Sequence, residues 1–294
     1  MKKFLAVFLT GVIVLGLCIS SAGCGEEELP ASAEIIVGHI AAQKSVESVE
    51  METDTSMNFV MDIQEEEMSM GMPANMNVDM TMSFASDEKN ERMRLVLNMD
   101  MEVPGEDPMK INAEMYYLDG WMYVIADMPM MEPQWMKVKI PYEDCLEGVG
   151  ELELTSSHLE ILEESHATVT GSEKVDGVDC YVLELTPDMD EIWDIIMQQM
   201  LMAGSGMPDV PVVNINEMID TFSVRYWIAK DTYYLAKSEM DISMEITPEA
   251  MGVYDEEGSV SLDMTMNMRM FNYNKELTFE LPPEAENAME QSIW

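Results

Sequence analysis

Methionine sulfur is the most abundant soft donor in this sequence, which contains 34 methionines among 294 residues. Four of them, Met68, Met70, Met72 and Met76, lie close together in and beside an acidic segment that also contains glycine and proline. Thioethers at such spacings can collect around Cu(I). Metal sites usually include histidine or cysteine as well, and neither occurs near these methionines. We therefore predict no metal centre and no cofactor, and Cu(I) binding stays an alternative.

Histidine is the commonest acid–base residue of active sites, and the sequence contains three, His39, His158 and His166. None belongs to a nucleophile-elbow, zinc-protease or phosphate-loop motif. The 57 acidic residues are too numerous for any catalytic pair of carboxylates to stand out. We predict that the protein is not an enzyme and that each histidine lies at the surface.

The chain begins with an export signal. Lys2 and Lys3 precede an apolar run over residues 4–19, and small residues follow. A basic start, a short apolar stretch and small residues before a cleavage point are typical of a secretory signal, and the stretch is short for a membrane span. We predict a signal peptide over residues 1–23.

Cys24 follows Ala22-Gly23 directly. This segment is similar to the bacterial lipobox, in which the cysteine is acylated, although Ser21 stands where leucine is preferred. We predict acylation of Cys24, which would hold the protein at the cell membrane on the extracytoplasmic side. The alternative is an ordinary secretory signal with an incidental cysteine. With Cys24 acylated, residues 24–31 would be a tether between the anchor and a single domain over residues 32–294.

Two further cysteines, Cys145 and Cys180, remain in the predicted mature chain. Exported proteins fold in oxidising compartments, where a leftover pair can form a disulfide. Because the sequence does not show how far apart the two residues lie, a disulfide and two separate thiols both stay open.

Acidic residues far outnumber basic ones, and the formal net charge is −42. Such a surface repels nucleic acid and anionic lipid headgroups. We predict no nucleic-acid partner, and we expect the acyl anchor rather than surface charge to provide membrane attachment.

A period of two dominates most of the remaining chain. Over residues 49–63, one set of alternate positions is mainly apolar and the other mainly acidic or polar, which is typical of a strand with one covered face. Later segments repeat the pattern with methionine on the covered face. We predict strands over residues 49–63, 76–84, 92–101, 109–118, 121–126, 134–140, 167–175, 178–186, 222–229, 233–246 and 260–273, with a short edge at 277–281.

Two segments have helical spacing instead. Ser32 can cap a helix over residues 33–43, with Ile36, Val37 and Ile40 on one side. A second helix should run from Pro187 to Ala203, because its apolar residues recur at helical intervals. The predicted class is therefore α+β: a large curved antiparallel sheet of roughly ten or eleven strands, an unclosed half-barrel with helices on its concave face.

The order of these elements resembles the LolA/LppX-like superfamily of extracytoplasmic lipoproteins. The resemblance lies in the lipobox at Cys24, the helix ASAEIIVGHIAAQKSVESV entering a long strand, the hairpin EKVDGVDCYVLELTPD, the pair YWIAKDTYYLAKSEMDISMEI and the ending LTFELPPEA. It covers the whole predicted mature chain, and none of its motifs is catalytic. Membership would imply an unclosed barrel around a hydrophobic cavity, which carries acyl chains in characterised relatives.

These features together predict a membrane-anchored lipoprotein that binds an apolar ligand, lipid acyl chains, for carriage, presentation or sensing. One alternative is a structural or interaction protein of the same fold with a filled core, and another is the Cu(I) binder. The residues predicted to line a methionine-rich cavity are Met51, Met57, Phe59, Met61, Met80, Met82, Leu95 and Leu97 from strands, and Ile192, Trp193, Ile196, Met197 and Met200 from the second helix.

Overall fold

The computed structural model describes residues 29–63, 75–129, 132–145, 166–186, 218–247 and 258–291. From Ala31 onward these residues belong to one compact unit. Helix α1 covers Ser32–Gln43, and short 3-10 helices cover Glu88–Asn90 and Pro283–Asn287. The strands are β1 Ser48–Ile63, β2 Asn75–Asp87, β3 Arg92–Glu102, β4 Met109–Leu118, β5 Trp121–Asp127, β6 Met136–Lys139, β7 His166–Val175, β8 Val178–Thr186, β9 Ile219–Ala229, β10 Leu235–Ile246, β11 Gly258–Phe271 and β12 Met289–Gln291.

All twelve strands form one sheet in the order β12-β6-β5-β4-β3-β2-β1-β11-β10-β9-β8-β7. Neighbours are antiparallel except β12 and β6, which run parallel. The edge strands β12 and β7 do not pair with each other, so the sheet is not closed. The predicted α+β class with an unclosed antiparallel sheet is confirmed, and the described residues alone form twelve strands where ten or eleven were predicted.

The long first strand, β1, lies in the middle of this sheet. Met51 faces Phe84 of β2 on one side and Met270 of β11 on the other. Both ladders continue along nearly the whole of β1. The ladder with β11 joins two strands that are about 200 residues apart in the sequence. The alternation read from the sequence therefore decides which side of the sheet each residue of β1 occupies.

Residues on the same side as Met51 form what we call the methionine face. Because directly paired residues share a face, the ladders assign this side across the sheet. It carries Met76, Val78, Met80, Met82 and Phe84 on β2; Met93, Leu95, Leu97, Met99 and Met101 on β3; Met109, Ile111, Ala113 and Met115 on β4; Met240, Ile242 and Met244 on β10; and Val260, Leu262, Met264, Met266, Met268 and Met270 on β11.

Along β1, the opposite face is polar and wet, whereas on β8 and β9 it carries a small buried cluster of Cys180, Val182, Trp227 and Ala229. Glu52, Asp54, Ser56 and Asn58 of β1 are all exposed there, and Ser56 donates to Asp79 at 2.7 Å. Ion pairs between exposed side chains at this surface contribute little to stability. Burial of apolar side chains, most of them on the methionine face, therefore contributes more to stability than these ion pairs do.

Helix α1 packs against the methionine face through Ile35, which is fully buried with Met51. Two predictions about this helix are wrong. Ser32 is its first residue and makes no cap, since the residue before the helix is Ala31 and no side chain caps it. Val37 is 49% exposed, because the helix turns Ile35 and His39 toward the sheet instead.

The C-terminal edge also differs from the prediction. Residues 277–281 form no strand, and Leu277 is buried. The added edge is β12, whose Met289 N–H donates to the Trp135 carbonyl at 2.9 Å. Its three residues are all exposed and show no alternation, so no sequence pattern marks it. Among the described residues, no helix has the length and apolar character needed to cross a bilayer.

Candidate functional site

One half of the methionine face is packed tightly. Its buried cluster joins α1 to strands from both sides of β1, and half-buried Phe84, Leu95 and Leu97 pack against it. This half forms the core of the domain. Its members are Ile35, Met51, Met82, Leu183, Leu185, Val224, Tyr226, Ile228, Leu235 and Met268.

The turn between β9 and β10 fixes α1 over this core. The ring of Tyr233 lies against Gly38, where a Cβ atom would come within 2.6 Å of it. The Nδ1–H of His39 donates to the Tyr233 carbonyl at 2.9 Å. Next to this contact, the rings of Tyr234 and Tyr273 stack with centroids 4.3 Å apart. These contacts fix the helix at this end of the sheet.

The packing loosens toward the other end of the same strands. Along β1, Met51, Thr53 and Thr55 are buried, whereas Met57, Phe59 and Met61 are only half-buried. Most of their neighbours on the methionine face are also half-exposed, although Val78, which pairs with Met57, is buried. The half-exposed neighbours are Met76, Met80, Met99, Met101 and Ile111 on one side of β1 and Phe222, Ile242, Met244, Leu262, Met264 and Met266 on the other. This second half, which we call the open half, presents apolar side chains from seven strands side by side.

Thr53 and Thr55 lie at the boundary between the two halves. They are 3% and 7% exposed, and both belong to the methionine face. Among the residues that the structure describes, neither hydroxyl has a hydrogen-bond partner. The alternation over residues 49–63 places both residues on the covered face but predicts no role for their hydroxyls. The sequence does mark these positions, because Thr53 and Thr55 are the two polar residues on an otherwise apolar side of β1.

His39 is fully buried, so the prediction that it lies at the surface is wrong. Desolvation lowers its pKa, and the hydrogen bond to the Tyr233 carbonyl raises it by a smaller amount. The imidazole is therefore kept neutral on the buried side of α1, where its hydrogen bond to the Tyr233 carbonyl positions the helix. His166 is exposed on β7, and His158 lies outside the described residues.

Cys145 and Cys180 are both free, buried thiols. Cys145 packs with Met93, Tyr117 and Tyr142, whereas Cys180 belongs to a separate cluster with Trp227. The disulfide considered from the sequence is not formed in this structure. Desolvation raises the pKa of Cys145 to about 11 and also raises the pKa of Cys180.

The predicted cavity residues of the strands do come together on one face. Met51 and Met82 belong to the buried core, Leu95 and Leu97 pack against it, and Met57, Phe59, Met61 and Met80 line the open half. The predicted helix residues Ile192, Trp193, Ile196, Met197 and Met200 lie outside the described residues, as does Cys24.

The alternative copper ligands are not gathered by the described part of the structure. Met76 lies on the methionine face, and Met68, Met70 and Met72 fall outside the described residues. In the described ranges, no group of three or more His, Cys, Asp or Glu side chains is placed to hold a metal ion.

Comparisons with known proteins give a family and several weak structural likenesses. Residues 31–290 match the model of a family of unknown function, DUF6612. No curated protein matches the chain. The fold implied by the resemblance to the LolA/LppX-like superfamily is confirmed, because α1 leads into the long β1 and the strands form one unclosed sheet.

The similar solved structures include LprF from Mycobacterium bovis, with a TM-score of 0.39 and 15% identity over 85% of this chain and 96% of that one. Lipoprotein LppX from Mycobacterium tuberculosis has a TM-score of 0.36 and 11% identity, over 85% of this chain and 99% of that one. A putative outer membrane lipoprotein-sorting protein domain from Vibrio parahaemolyticus has a TM-score of 0.21 and 12% identity, over 87% of this chain and 98% of that one. Likenesses at such low TM-scores support no conclusion about function.

Proposed function

The chain belongs to DUF6612, a family of unknown function, and from its own residues we propose that it is a membrane-anchored extracytoplasmic lipoprotein that binds lipid acyl chains on the open half of the methionine face. It would carry, present or sense a lipid.

The single observation behind this proposal is the change in burial along β1. Met51 is buried beneath α1, and Met57, Phe59 and Met61 continue the same apolar face while remaining half-exposed. Soluble proteins rarely leave a wide continuous apolar surface uncovered unless it binds something. An apolar ligand lying along these strands would complete the burial that α1 provides at the other end.

Methionine suits such a surface. Its unbranched thioether side chain adapts to ligands of variable shape, as at promiscuous methionine-rich binding sites. Burial of each methylene contributes about 0.8 kcal/mol, so about ten buried methylenes would contribute about 8 kcal/mol before the cost of association. Binding of this kind needs no catalytic group and no cation.

The beginning of the sequence supports the proposed location. The basic start, the apolar run over residues 4–19 and the cysteine after Ala22-Gly23 are the features of an acylated export signal. With a net charge of −42, the surface would not be drawn to anionic headgroups, so attachment would depend on Cys24.

Native mass spectrometry can test both parts of the proposal. The full chain carrying Cys24→Ala has no attached acyl group, so we expect it to leave the membrane fraction and to co-purify with non-covalently bound lipid. Unchanged membrane attachment would contradict the anchor. Absence of any bound lipid would contradict the binding function.

Two neighbouring residues of β1 provide a matched pair of variants. Phe59 lies on the open half, and Val60 is 36% exposed on the opposite face. We expect Phe59→Asp to lose most of the bound lipid, because a carboxylate on an apolar contact surface is costly to desolvate. Val60→Asp should retain it. Equal lipid content in the two variants would mean that the open half is not the binding surface.

A further inference from the structure

The hydroxyl groups of Thr53 and Thr55 are placed where a protein normally puts methyl groups. Thr53 pairs with Met82 and Met268, and Thr55 lies two residues further along the same face, between Met80 and Met266. Both side chains are more than nine-tenths buried. Within the described residues, no donor or acceptor pairs with either hydroxyl.

A buried hydroxyl without a partner lowers stability, because it has given up its hydrogen bonds to water. Valine has nearly the same shape, is also β-branched, and would fill these positions without that cost. Two consecutive positions on the same face of β1 share this feature, and both lie at the boundary of the open half. The pair therefore points to a partner that belongs to a ligand.

We propose that Thr53 and Thr55 donate hydrogen bonds to the ester carbonyls of a bound acyl lipid. This inference rests on the proposed function and names the polar part of its ligand. The acyl chains would run from the ester group along Met57, Phe59 and Met61. Hydroxyls two residues apart on one face of a strand are separated by roughly 7 Å, so each can serve a different carbonyl.

The charges around the threonines favour a neutral group over an anionic one. On the methionine face, the described residues of β1, β2, β3, β4, β10 and β11 include no charged side chain. A phosphate or carboxylate placed there would be desolvated without a cation to pair with it. An ester carbonyl accepts a hydrogen bond and carries no charge.

A comparison of ester and ether lipids tests this inference on the unmodified full chain. Dipalmitoylglycerol and dihexadecylglycerol have hydrocarbon chains of the same length, but only the first has carbonyl groups. We expect the ester lipid to bind about tenfold more tightly, the size of effect given by one to two net hydrogen bonds. Equal binding of the two lipids would overturn the inference and leave the proposed function standing. Failure of both to bind would overturn the proposed function as well.

Variants identify the residues responsible. The double variant Thr53→Val, Thr55→Val should bind ester and ether lipids with affinities within about twofold of each other. Thr265→Val is the control, because Thr265 is exposed on the opposite face of the neighbouring strand β11. That control should keep the preference for the ester. A preference that survives in the double variant would overturn the assignment.

A second measurement separates ligand binding from a structural role. Without lipid, the double variant should unfold at a higher temperature than the unmodified chain, because two unpaired hydroxyls have been removed. It should therefore gain stability while losing ester selectivity. A lower unfolding temperature would show that the hydroxyls stabilise the protein itself, and would overturn the inference.

Discussion

Replacement of Gly38 by alanine tests how α1 is held over the core. In a helix interior, alanine is normally more favourable than glycine by about 1 kcal/mol. At this position, however, the new Cβ would lie 2.6 Å from Cδ1 and 2.8 Å from Cγ and Cε1 of Tyr233. Carbon atoms in contact are normally about 3.5–4.0 Å apart, so the helix or the ring must move by about 1 Å.

Tyr233 has little freedom to move. Its backbone adopts φ of 60°, which is unusual for a residue other than glycine, and its carbonyl accepts the hydrogen bond from His39. Overpacking of this kind costs about 1–3 kcal/mol. After the gain in helix propensity is subtracted, we expect Gly38→Ala to lower the free energy of unfolding by about 1 kcal/mol. The unfolding temperature should fall by about 3 °C.

Urea denaturation followed by circular dichroism can measure this change, and a second background provides the control. In Tyr233→Ala, the ring is absent and the φ strain remains, so the same Gly38→Ala substitution should raise the free energy of unfolding by about 1 kcal/mol. The effect of the alanine should therefore change sign between the two backgrounds. Stabilisation by Gly38→Ala in the unmodified chain would refute the reasoning, because it would mean that the helix does not touch Tyr233.

Two further predictions concern buried groups. Because the pKa of His39 is lowered in the folded protein, the unfolded chain binds more protons than the folded chain as the pH falls below about 6.5. The stability that depends on neutral His39 is therefore complete above that pH. It is lost as the pH falls toward the folded-state pKa. Between about pH 7.5 and pH 5, the unmodified chain should therefore lose more unfolding free energy in urea titrations than His39→Gln. In alkylation experiments read by peptide mass spectrometry, Cys145 and Cys180 should stay unmodified in the folded protein, because both are buried with raised pKa values, and should react once guanidinium unfolds the chain.

Each of these measurements has a clear contrary result. Parallel pH curves for the unmodified chain and His39→Gln would mean that the imidazole titrates alike in the folded and unfolded states. The many carboxylates titrate in both proteins, so only the difference between the curves reports on His39. Failure of Cys145 and Cys180 to react even after unfolding, unless a reductant is added, would show a disulfide.

The strands were the part of the fold most open to prediction. The bounds of β4 and β8 agree with the sequence pattern, and β1 differs from its predicted span by one residue. In each of these strands, several successive side chains alternate between apolar and polar, and every one of them indicates the same covered face. Strand β12 has only three residues, all exposed and without alternation, and it is defined by its pairing with β6, more than 140 residues earlier in the chain.

The helix shows where local patterns stop being sufficient. Its apolar residues Ile36, Val37 and Ile40 indicated one side, but the structure buries Ile35 and His39. The helix is turned because Gly38 lets the Tyr233 ring approach its backbone, and that ring is 194 positions beyond His39. No spacing within α1 could reveal a contact that depends on so distant a residue.

By itself, the sequence determined that long strands would present methionine on one face and acids on the other, because side-chain direction in a strand depends only on backbone geometry from one residue to the next. Tertiary structure decided the rest. It paired β1 with β11, placed Cys145 and Cys180 in separate clusters, and buried His39. At the edge of the open half it left Thr53 and Thr55 without hydrogen-bond partners among the residues that the structure describes. These outcomes depend on which distant segments come into contact, and burial and hydrogen bonding are properties of those contacts rather than of any residue alone.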